Sequence, residues 1–188
     1  MKKSMRMLAL VLCFVMVLGL MPTVRAEEAP VLANADDIVV YYTNDVHTYI
    51  NKPLSYDNIA DLKAETAKQA AGVLLDAGDA IQGTAYGSMD KGETIIELMN
   101  AAGYDIATLG NHEFDYGMER ILELVEKADY EYISSNFHHI VDGYDGNTVL
   151  PAISYATFGD TKIAFVGITT PESFTKSTPA YFQDENGN

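Results

Sequence analysis

The sequence predicts an α/β domain, because short apolar runs rich in β-branched and aromatic residues alternate with amphipathic stretches of helical period. Three of the apolar runs, which begin near residues 38, 73 and 104, end in clusters of Gly, Asp, Asn and His. In a sheet built from such units, the carboxyl ends of neighbouring strands meet in one crevice, where ligands bind. The same pattern therefore predicts both the fold class and the place of a polar site.

The individual elements follow in order along the chain. Four buried strands are predicted, with the polar residues at their ends: Ile38–Asp45, Val73–Asp79, YDIATLGNHE (104–113) and YEYISSNF, which ends at Asn136. Three helices are predicted at Tyr56–Ala71, Glu93–Ala102 with Gly103 as C-cap, and Met118–Lys127. A loop at Asp142–Asn147 precedes two strands, Ala152–Phe158 and Lys162–Ile168, that turn at Gly159-Asp160. The tail from Thr169 to Asn188 has no clear period.

Residues 1–26 are typical of a secretory signal peptide. Basic residues precede an apolar run from Met7 to Met21, and small residues follow before the expected cleavage after Ala26. A membrane anchor is the alternative, but the run is shorter than the roughly 20 residues that a spanning helix needs. We therefore expect a secreted or extracytoplasmic protein, in the periplasm or at the cell surface, with residues 27–36 as a flexible mature N-terminus and no stable membrane insertion.

The composition restricts the partners of the mature chain. The only cysteine, Cys13, lies within the signal segment, so neither a disulfide nor a cysteine-ligated zinc site is expected. The signal segment also holds four of the 12 basic residues, which leaves 8 against 27 acidic residues and a net charge of −19. Such a surface repels nucleic acid, and an anionic substrate would depend on bound cations. The pattern carries no signal for an oligomeric state.

The polar clusters at the strand ends contain side chains that bind metals. Asp45 and His47 stand at i and i+2, so in an extended chain they would point the same way and hold one ion. Asp79 has two oxygens and would bridge that ion to a second one, and Asn111 offers a neutral carbonyl oxygen. We therefore predict a site for two divalent cations of the Mn, Zn, Co or Mg class, which activate a water for attack on a phosphate ester.

A candidate catalytic pair follows directly on the last of these ligands. Asp115 stands three residues after His112, in the same turn. A carboxylate that accepts from one ring nitrogen would fix the imidazole tautomer and leave the other nitrogen to donate to the phosphate or the leaving oxygen. We predict His112 as general acid and Asp115 as the group that orients it. Glu113 is interpreted as a hydrogen-bond partner of the site, and His138-His139 as a solvated loop pair outside it.

Three segments, TNDVHT, GDAIQGT and GNHEFDYG, each follow a predicted strand in that order. Together they resemble the successive metal motifs of the calcineurin-like metallophosphoesterase superfamily, and within it the 5'-nucleotidase and UDP-sugar hydrolase group. The resemblance covers about residues 37–168, and it implies a sandwich of two mixed sheets flanked by helices. It also implies the ligand and catalytic roles just given. Thr48 is a departure, because family members more often have Gly after the first His.

The resemblance further implies parts that come later in a family chain. These are three more metal ligands, in Gly-His and Gly-His-x-His steps, and a C-terminal domain that holds the nucleobase between aromatic side chains. No histidine follows His139 here, so the second ion would keep only Asp79 and Asn111. Residues 37–188 are therefore predicted to be the N-terminal portion of a catalytic domain, truncated and inactive by itself.

The expected function is hydrolysis of small-molecule nucleotides outside the cytoplasm. One alternative keeps the metals and changes the substrate to a cyclic nucleotide, a UDP-sugar or a sulfur ester. Another is a non-catalytic remnant that only binds metal or nucleotide. The sequence leaves these alternatives open, because the residues that would discriminate between substrates belong to the C-terminal domain.

Overall fold

The computed structural model describes residues 36–51, 53–141, 144–183 and 187. The expected signal peptide, and all but the last residue of the expected flexible N-terminus, lie outside this part of the chain. Within it, the structure contains no helix that combines the length and the apolar character needed to cross a membrane.

A parallel sheet of four strands lies at the centre of the fold, in the order β1-β2-β3-β4. Its strands are β1 (Ile38–Thr43), β2 (Ala71–Asp76), β3 (Ile106–Ala107) and β4 (Glu131–Tyr132). β1 and β2 pair over six positions, from Ile38 opposite Ala71 to Thr43 opposite Asp76. The other two parallel pairs each cover two positions. All four carboxyl ends therefore lie at the same edge of the sheet.

The described residues contain five helices: α1 (Tyr56–Thr66), α2 (Ala85–Ser88), α3 (Glu93–Ala102), α4 (Met118–Lys127) and α5 (Ser173–Lys176), with 3₁₀ turns at His112–Phe114 and Pro179–Phe182. The sequence predicted α1, α3 and α4 in this order, and it did not predict the short helices α2 and α5. The bounds predicted for α3 and α4 are confirmed. Gly103 ends α3 with a φ of 74°, the left-handed conformation that glycine adopts at little cost. α1 is shorter than predicted, because β2 begins at Ala71 and the chain must first turn back.

Two antiparallel hairpins follow the parallel sheet. They consist of β5 (His138–Val141) with β6 (Tyr144–Thr148), and β7 (Ile153–Phe158) with β8 (Thr161–Val166). The second hairpin and its turn at Gly159 are confirmed. The first corrects the prediction of a loop at Asp142–Asn147 and places His138-His139 in a strand, although His139 is exposed as predicted. Both nitrogens of the His138 ring lie 3.0 Å from backbone carbonyls, so the hairpin is held by polar contacts that an apolar pattern does not reveal.

The sheet separates two layers of packing. On one face, the helices bury the main core, which includes Leu74, Ile95, Ile96, Met99 and Leu124. On the other face, Val73, Ile106 and Ile133 pack against Phe158 and Phe165 of the second hairpin. The predicted α/β class is therefore confirmed; the described residues form one parallel sheet and two antiparallel hairpins, with flanking helices.

Asp76, the last residue of β2, carries a buried carboxylate. Asp76 is 4% exposed; its oxygens accept from Thr43 Oγ1 at 2.5 Å and from the Gly78 N–H at 2.9 Å. The Tyr104 hydroxyl lies 2.9 Å from the same Thr43 oxygen. Burial raises the pKa of Asp76 to about 7, although the Thr43 hydrogen bond lowers it, and the Glu113 charge adds to the rise.

The raised pKa of Asp76 predicts that this carboxyl stabilises the metal-free protein less as the pH rises from about 4 to 7. The folded pKa lies above the unfolded one, so the stabilisation is complete below pH 4 and is lost as the pH rises through the folded value. A shift of this size corresponds to at most about 4 kcal/mol. In urea unfolding with EDTA, the difference in unfolding free energy between the wild type and Asp76→Asn should therefore become less favourable to the wild type as the pH rises. The exposed Asp61→Asn is the control, and a difference that does not change with pH would contradict the assignment.

Candidate metal centre

The loops after β1 and β2 continue to pair beyond the ends of the strands. The Asp45 N–H donates to the Gly78 carbonyl at 3.1 Å, His47 N–H to Asp79 O at 3.0 Å, and Thr48 N–H to Ala80 O at 3.1 Å. This ladder holds the two predicted motifs side by side at the carboxyl edge of the sheet.

Three side chains from three different loops meet at this edge. His47, Asp79 and His112 each offer one ligand atom, and these atoms all lie within 4.8 Å of one another. The rings of His47 and His112 meet edge to face, with centroids 5.0 Å apart. Imidazole nitrogen with carboxylate oxygen suits several first-row divalent ions, so the donor set fits a metal.

Asp45 lies beside this group and not within it. Its Oδ1 is 3.5 Å from His47 Nε2, and its side chain is 57% exposed. The extended geometry expected for Asp45 and His47 is wrong, since β1 ends at Thr43 and both residues have positive φ, 54° and 48°. The turn still brings the two side chains together, by a different backbone path.

Backbone strain is concentrated in these loops. Of the five non-glycine residues with positive φ in the described part of the chain, four are Asp45, His47, Thr48 and Asp79. Asp and His tolerate this region better than most residues, whereas a β-branched residue such as Thr48 is a clear outlier. Conformations of this kind persist where surrounding contacts determine them and are common at functional sites.

Gly78 and Gly110 let the second and third loops touch. A Cβ on Gly78 would overlap the backbone of Gly110, and a Cβ on Gly110 would overlap the Asp79 carboxylate. The chain turns sharply at Gly78, whose φ is 100°, and the space beside Gly110 is filled by the Asp79 side chain.

The buried side chain of Glu113 forms hydrogen bonds with both of these loops. It is 1% exposed, and its carboxylate accepts from the backbone N–H groups of Asp79 at 2.8 Å, Ala80 at 2.9 Å and Gly110 at 2.7 Å. Burial raises the pKa of Glu113, while these N–H donors act in the opposite direction. The prediction that it serves as a hydrogen-bond partner is confirmed.

The third loop presents the pair predicted to be catalytic. His112 Nδ1 lies 2.7 Å from Asp115 Oδ2, so the expected hydrogen bond is present. Burial lowers the pKa of His112, but the hydrogen bond and charge of Asp115 outweigh it and raise the pKa above 6.5. The His112 backbone N–H also donates to Asp79 Oδ1 at 2.7 Å. Asn111, 9% exposed, lies between this contact and Gly110.

Several residues that shape the site were missed by sequence reasoning. The Gln82 carbonyl lies 3.0 Å from His47 Nδ1, and Thr48 and Thr84 are joined by hydrogen bonds. No residue type marks a backbone carbonyl as a partner, so Gln82 had no signal. Asp76 did have one, because an acidic residue inside the apolar run VLLD requires buried partners.

The fold and the site define an α/β protein with a His/Asp metal-binding group at the carboxyl edge of its parallel sheet. The model of the calcineurin-like phosphoesterase family matches residues 38–177, and the chain belongs to this family. Members of the family use divalent metals, in agreement with the donor set.

Known 5'-nucleotidases are similar to this chain. The snake venom 5'-nucleotidase of Gloydius brevicauda is 31% identical over 176 residues, covering 82% of this chain and 30% of the relative. The human 5'-nucleotidase is 32% identical over 179 residues, covering 81% and 30%. The chain thus spans about 30% of the length of these curated relatives.

Two solved structures are also similar. The NAD nucleotidase of Haemophilus influenzae superposes with a TM-score of 0.62 at 27% identity, over 73% of this chain and 27% of that one. A sulfate thiohydrolase of Thermus thermophilus gives a TM-score of 0.60 at 26% identity, over 69% of this chain and 23% of that one.

Proposed function

We propose that this chain provides part of the active site of an extracytoplasmic, metal-dependent nucleotide phosphoesterase. The observation that carries the proposal is the meeting of His47, Asp79 and His112 within 4.8 Å at the carboxyl edge of the sheet. The similarity to 5'-nucleotidases supports the substrate class. The signal-like residues 1–26, and the names of the snake venom relatives, support the location.

In the proposed site, Asp45 and His47 would hold one divalent ion, and Asp79 with Asn111 would hold a second. The ions, when bound, would supply an acidified water and neutralise charge on the phosphate. His47 Nδ1 faces a carbonyl, which can only accept, so that nitrogen carries the proton and Nε2 has the lone pair for a metal.

His112 is proposed to deliver a proton to the leaving oxygen. Its Nδ1–H donates to Asp115, which orients the ring and leaves Nε2 for the substrate. The raised pKa of His112 keeps a larger fraction of the ring protonated near neutral pH than at an ordinary histidine. A competing role as third metal ligand is favoured by its place in the same group as His47 and Asp79.

A second substrate class within the same site has one observation in its favour. The similarity to a sulfate thiohydrolase makes a sulfur ester the strongest alternative to a nucleotide. The family resemblance also keeps cyclic nucleotides and UDP-sugars as alternative substrates. The alternative to an enzyme is a protein that binds metal or nucleotide without turnover.

The test is metal binding followed by product release. The purified 188-residue chain, freed of metal with EDTA, should bind Mn²⁺ or Zn²⁺ in isothermal titration calorimetry. Phosphate release from AMP is then compared with the formation of UMP from UDP-glucose and of AMP from cyclic AMP, and sulfate release from a thiosulfate ester is measured in parallel. Metal binding with preferential AMP hydrolysis supports the nucleotide proposal. Metal binding without any turnover supports a binding protein, and absence of metal binding overturns the site.

His112→Ala separates the two roles proposed for that residue. If His112 is the general acid, the variant keeps its Mn²⁺ affinity within about 3-fold, and turnover of AMP in an active form of the protein falls by about 10² to 10⁴-fold. Titration calorimetry and a phosphate-release assay measure the two quantities. The control is His139→Ala, an exposed histidine on β5. A loss of metal affinity beyond 10-fold would instead assign His112 to the ligand set.

A further inference from the structure

Thr48 is the most unusual residue of the site, and the proposed function does not use it. It is fully buried at 0% exposure, yet it is β-branched and has a φ of 59°. A threonine in the left-handed region costs conformational energy that other contacts must offset. Glycine would fit this backbone without that cost.

The Thr48 hydroxyl forms a closed set of hydrogen bonds with Thr84. The Thr84 N–H donates to Thr48 Oγ1 at 2.6 Å, and Thr84 Oγ1 donates to the Thr48 carbonyl at 3.2 Å. The two hydroxyl oxygens are 2.7 Å apart. Since the Thr84 proton is used on the carbonyl, the Thr48 hydroxyl donates to Thr84 Oγ1. We call these three bonds the Thr48–Thr84 clasp.

The surrounding chain is shaped to admit this side chain. A Cβ on Gly87 would overlap the Ile81 carbonyl and approach Thr48 Cγ2 to 2.5 Å, so only glycine leaves room for the threonine methyl. A Cβ on Gly83 would likewise overlap the His47 carbonyl. The segment 80–87 therefore packs closely on the loop that carries His47, at Gly83 against the His47 carbonyl and at Gly87 against the Thr48 methyl group.

The clasp lies next to a contact that determines the chemistry of His47. Thr48 follows His47, and Gln82 stands two residues before Thr84. The Gln82 carbonyl accepts from His47 Nδ1 at 3.0 Å. Without a fixed acceptor on one nitrogen, a neutral imidazole exchanges its proton between the two, and Nε2 then has no free lone pair for part of the time.

We propose that Thr48 and Thr84 are positioning residues, which hold the Gln82 carbonyl against His47 Nδ1 and so fix the His47 tautomer that leaves Nε2 free. The value of that tautomer for metal binding rests on the proposed function. The fixing of the tautomer does not, since it is a property of the metal-free protein.

The test measures the tautomer directly, in the full 188-residue chain without metal. Two-bond ¹H–¹⁵N correlation spectra of ¹⁵N-histidine protein, recorded where the imidazoles are neutral, distinguish Nδ1–H from Nε2–H. The wild type should show His47 as a single Nδ1–H tautomer. Thr48→Val keeps the branched shape and loses the hydroxyl, so His47 should show averaged tautomers and Mn²⁺ affinity should fall roughly 10-fold, as for other partners outside the ligand set. Thr48→Ser keeps the hydroxyl and should show the single Nδ1–H tautomer and the Mn²⁺ affinity of the wild type.

The matched control is Thr66→Val, the same change at a buried threonine of α1 whose hydroxyl has no partner among the described residues. It should leave the His47 signal unchanged. If Thr48→Val fails to fold, Thr48→Gly takes its place, because it removes the hydroxyl and relieves the backbone. A single Nδ1–H tautomer in Thr48→Val or Thr48→Gly overturns the inference. If the wild type shows the tautomer but binds no Mn²⁺, the proposed function fails and the inference stands.

Discussion

The Asp79→Asn variant is expected to bind Mn²⁺ at least about 100-fold more weakly than the wild type, while it remains folded. Changes outside the ligand set cost about 10 to 100-fold, and loss of a charged ligand should cost more. Asparagine tolerates the left-handed backbone of this position, where φ is 60°. Its amide oxygen can also still accept from the His112 N–H, as Asp79 Oδ1 does. The substitution therefore removes the charge and preserves the loop.

Titration calorimetry measures the affinity, and circular dichroism reports whether the variant is folded. Asp61→Asn, on the exposed side of α1, makes the same chemical change away from the site and should bind as the wild type does. Unchanged affinity in Asp79→Asn, in a folded protein, would show that the ions bind elsewhere, and the assignment of the metal centre would have to be abandoned.

The Glu113→Ala variant is expected to lose stability by on the order of 4 kcal/mol. Three backbone N–H groups donate to this carboxylate, and each buried donor left without an acceptor costs about 1–3 kcal/mol. Glu113→Gln should fall between Ala and the wild type, because it retains one oxygen and places an NH₂ group against a donor.

Urea unfolding of the metal-free protein gives the free energy of unfolding for each variant. Glu126→Ala, exposed on α4, removes the same side chain and should change that free energy by less than about 0.5 kcal/mol. If Glu113→Ala is as stable as this control, ordered water must replace the carboxylate, and the joint between the second and third loops would not depend on Glu113.

Much of the fold could be predicted because its helices carry strong patterns. The bounds of α3 and α4 follow from apolar periodicity and from glycines at their ends. The parallel strands were predicted at the correct places but with too many residues. The third was predicted over ten residues and consists of Ile106–Ala107 alone. Their polar ends are loops with positive φ, and a sequence of hydrophobic and polar residues does not encode that change of backbone.

The candidate site, like the fold, could be predicted only in part. The side chains that meet at the carboxyl edge could be predicted, because His47, Asp79 and His112 each stand at or just after the end of a predicted strand. The contacts that hold them could be identified only in part. Glu113 was recognised, but the Gln82 carbonyl and the Thr84 hydroxyl act through positions in space that no local pattern records.

The separation of the strands along the chain has a consequence for folding kinetics. β1 and β2 pair residues that lie 33 positions apart, as at Ile38 and Ala71, and the three loops of the candidate metal centre are held together by such non-local pairing. We therefore expect the site to form late in folding. Since late-formed interactions act mainly on the unfolding rate, added Mn²⁺ should slow unfolding in stopped-flow experiments and leave the refolding rate nearly unchanged.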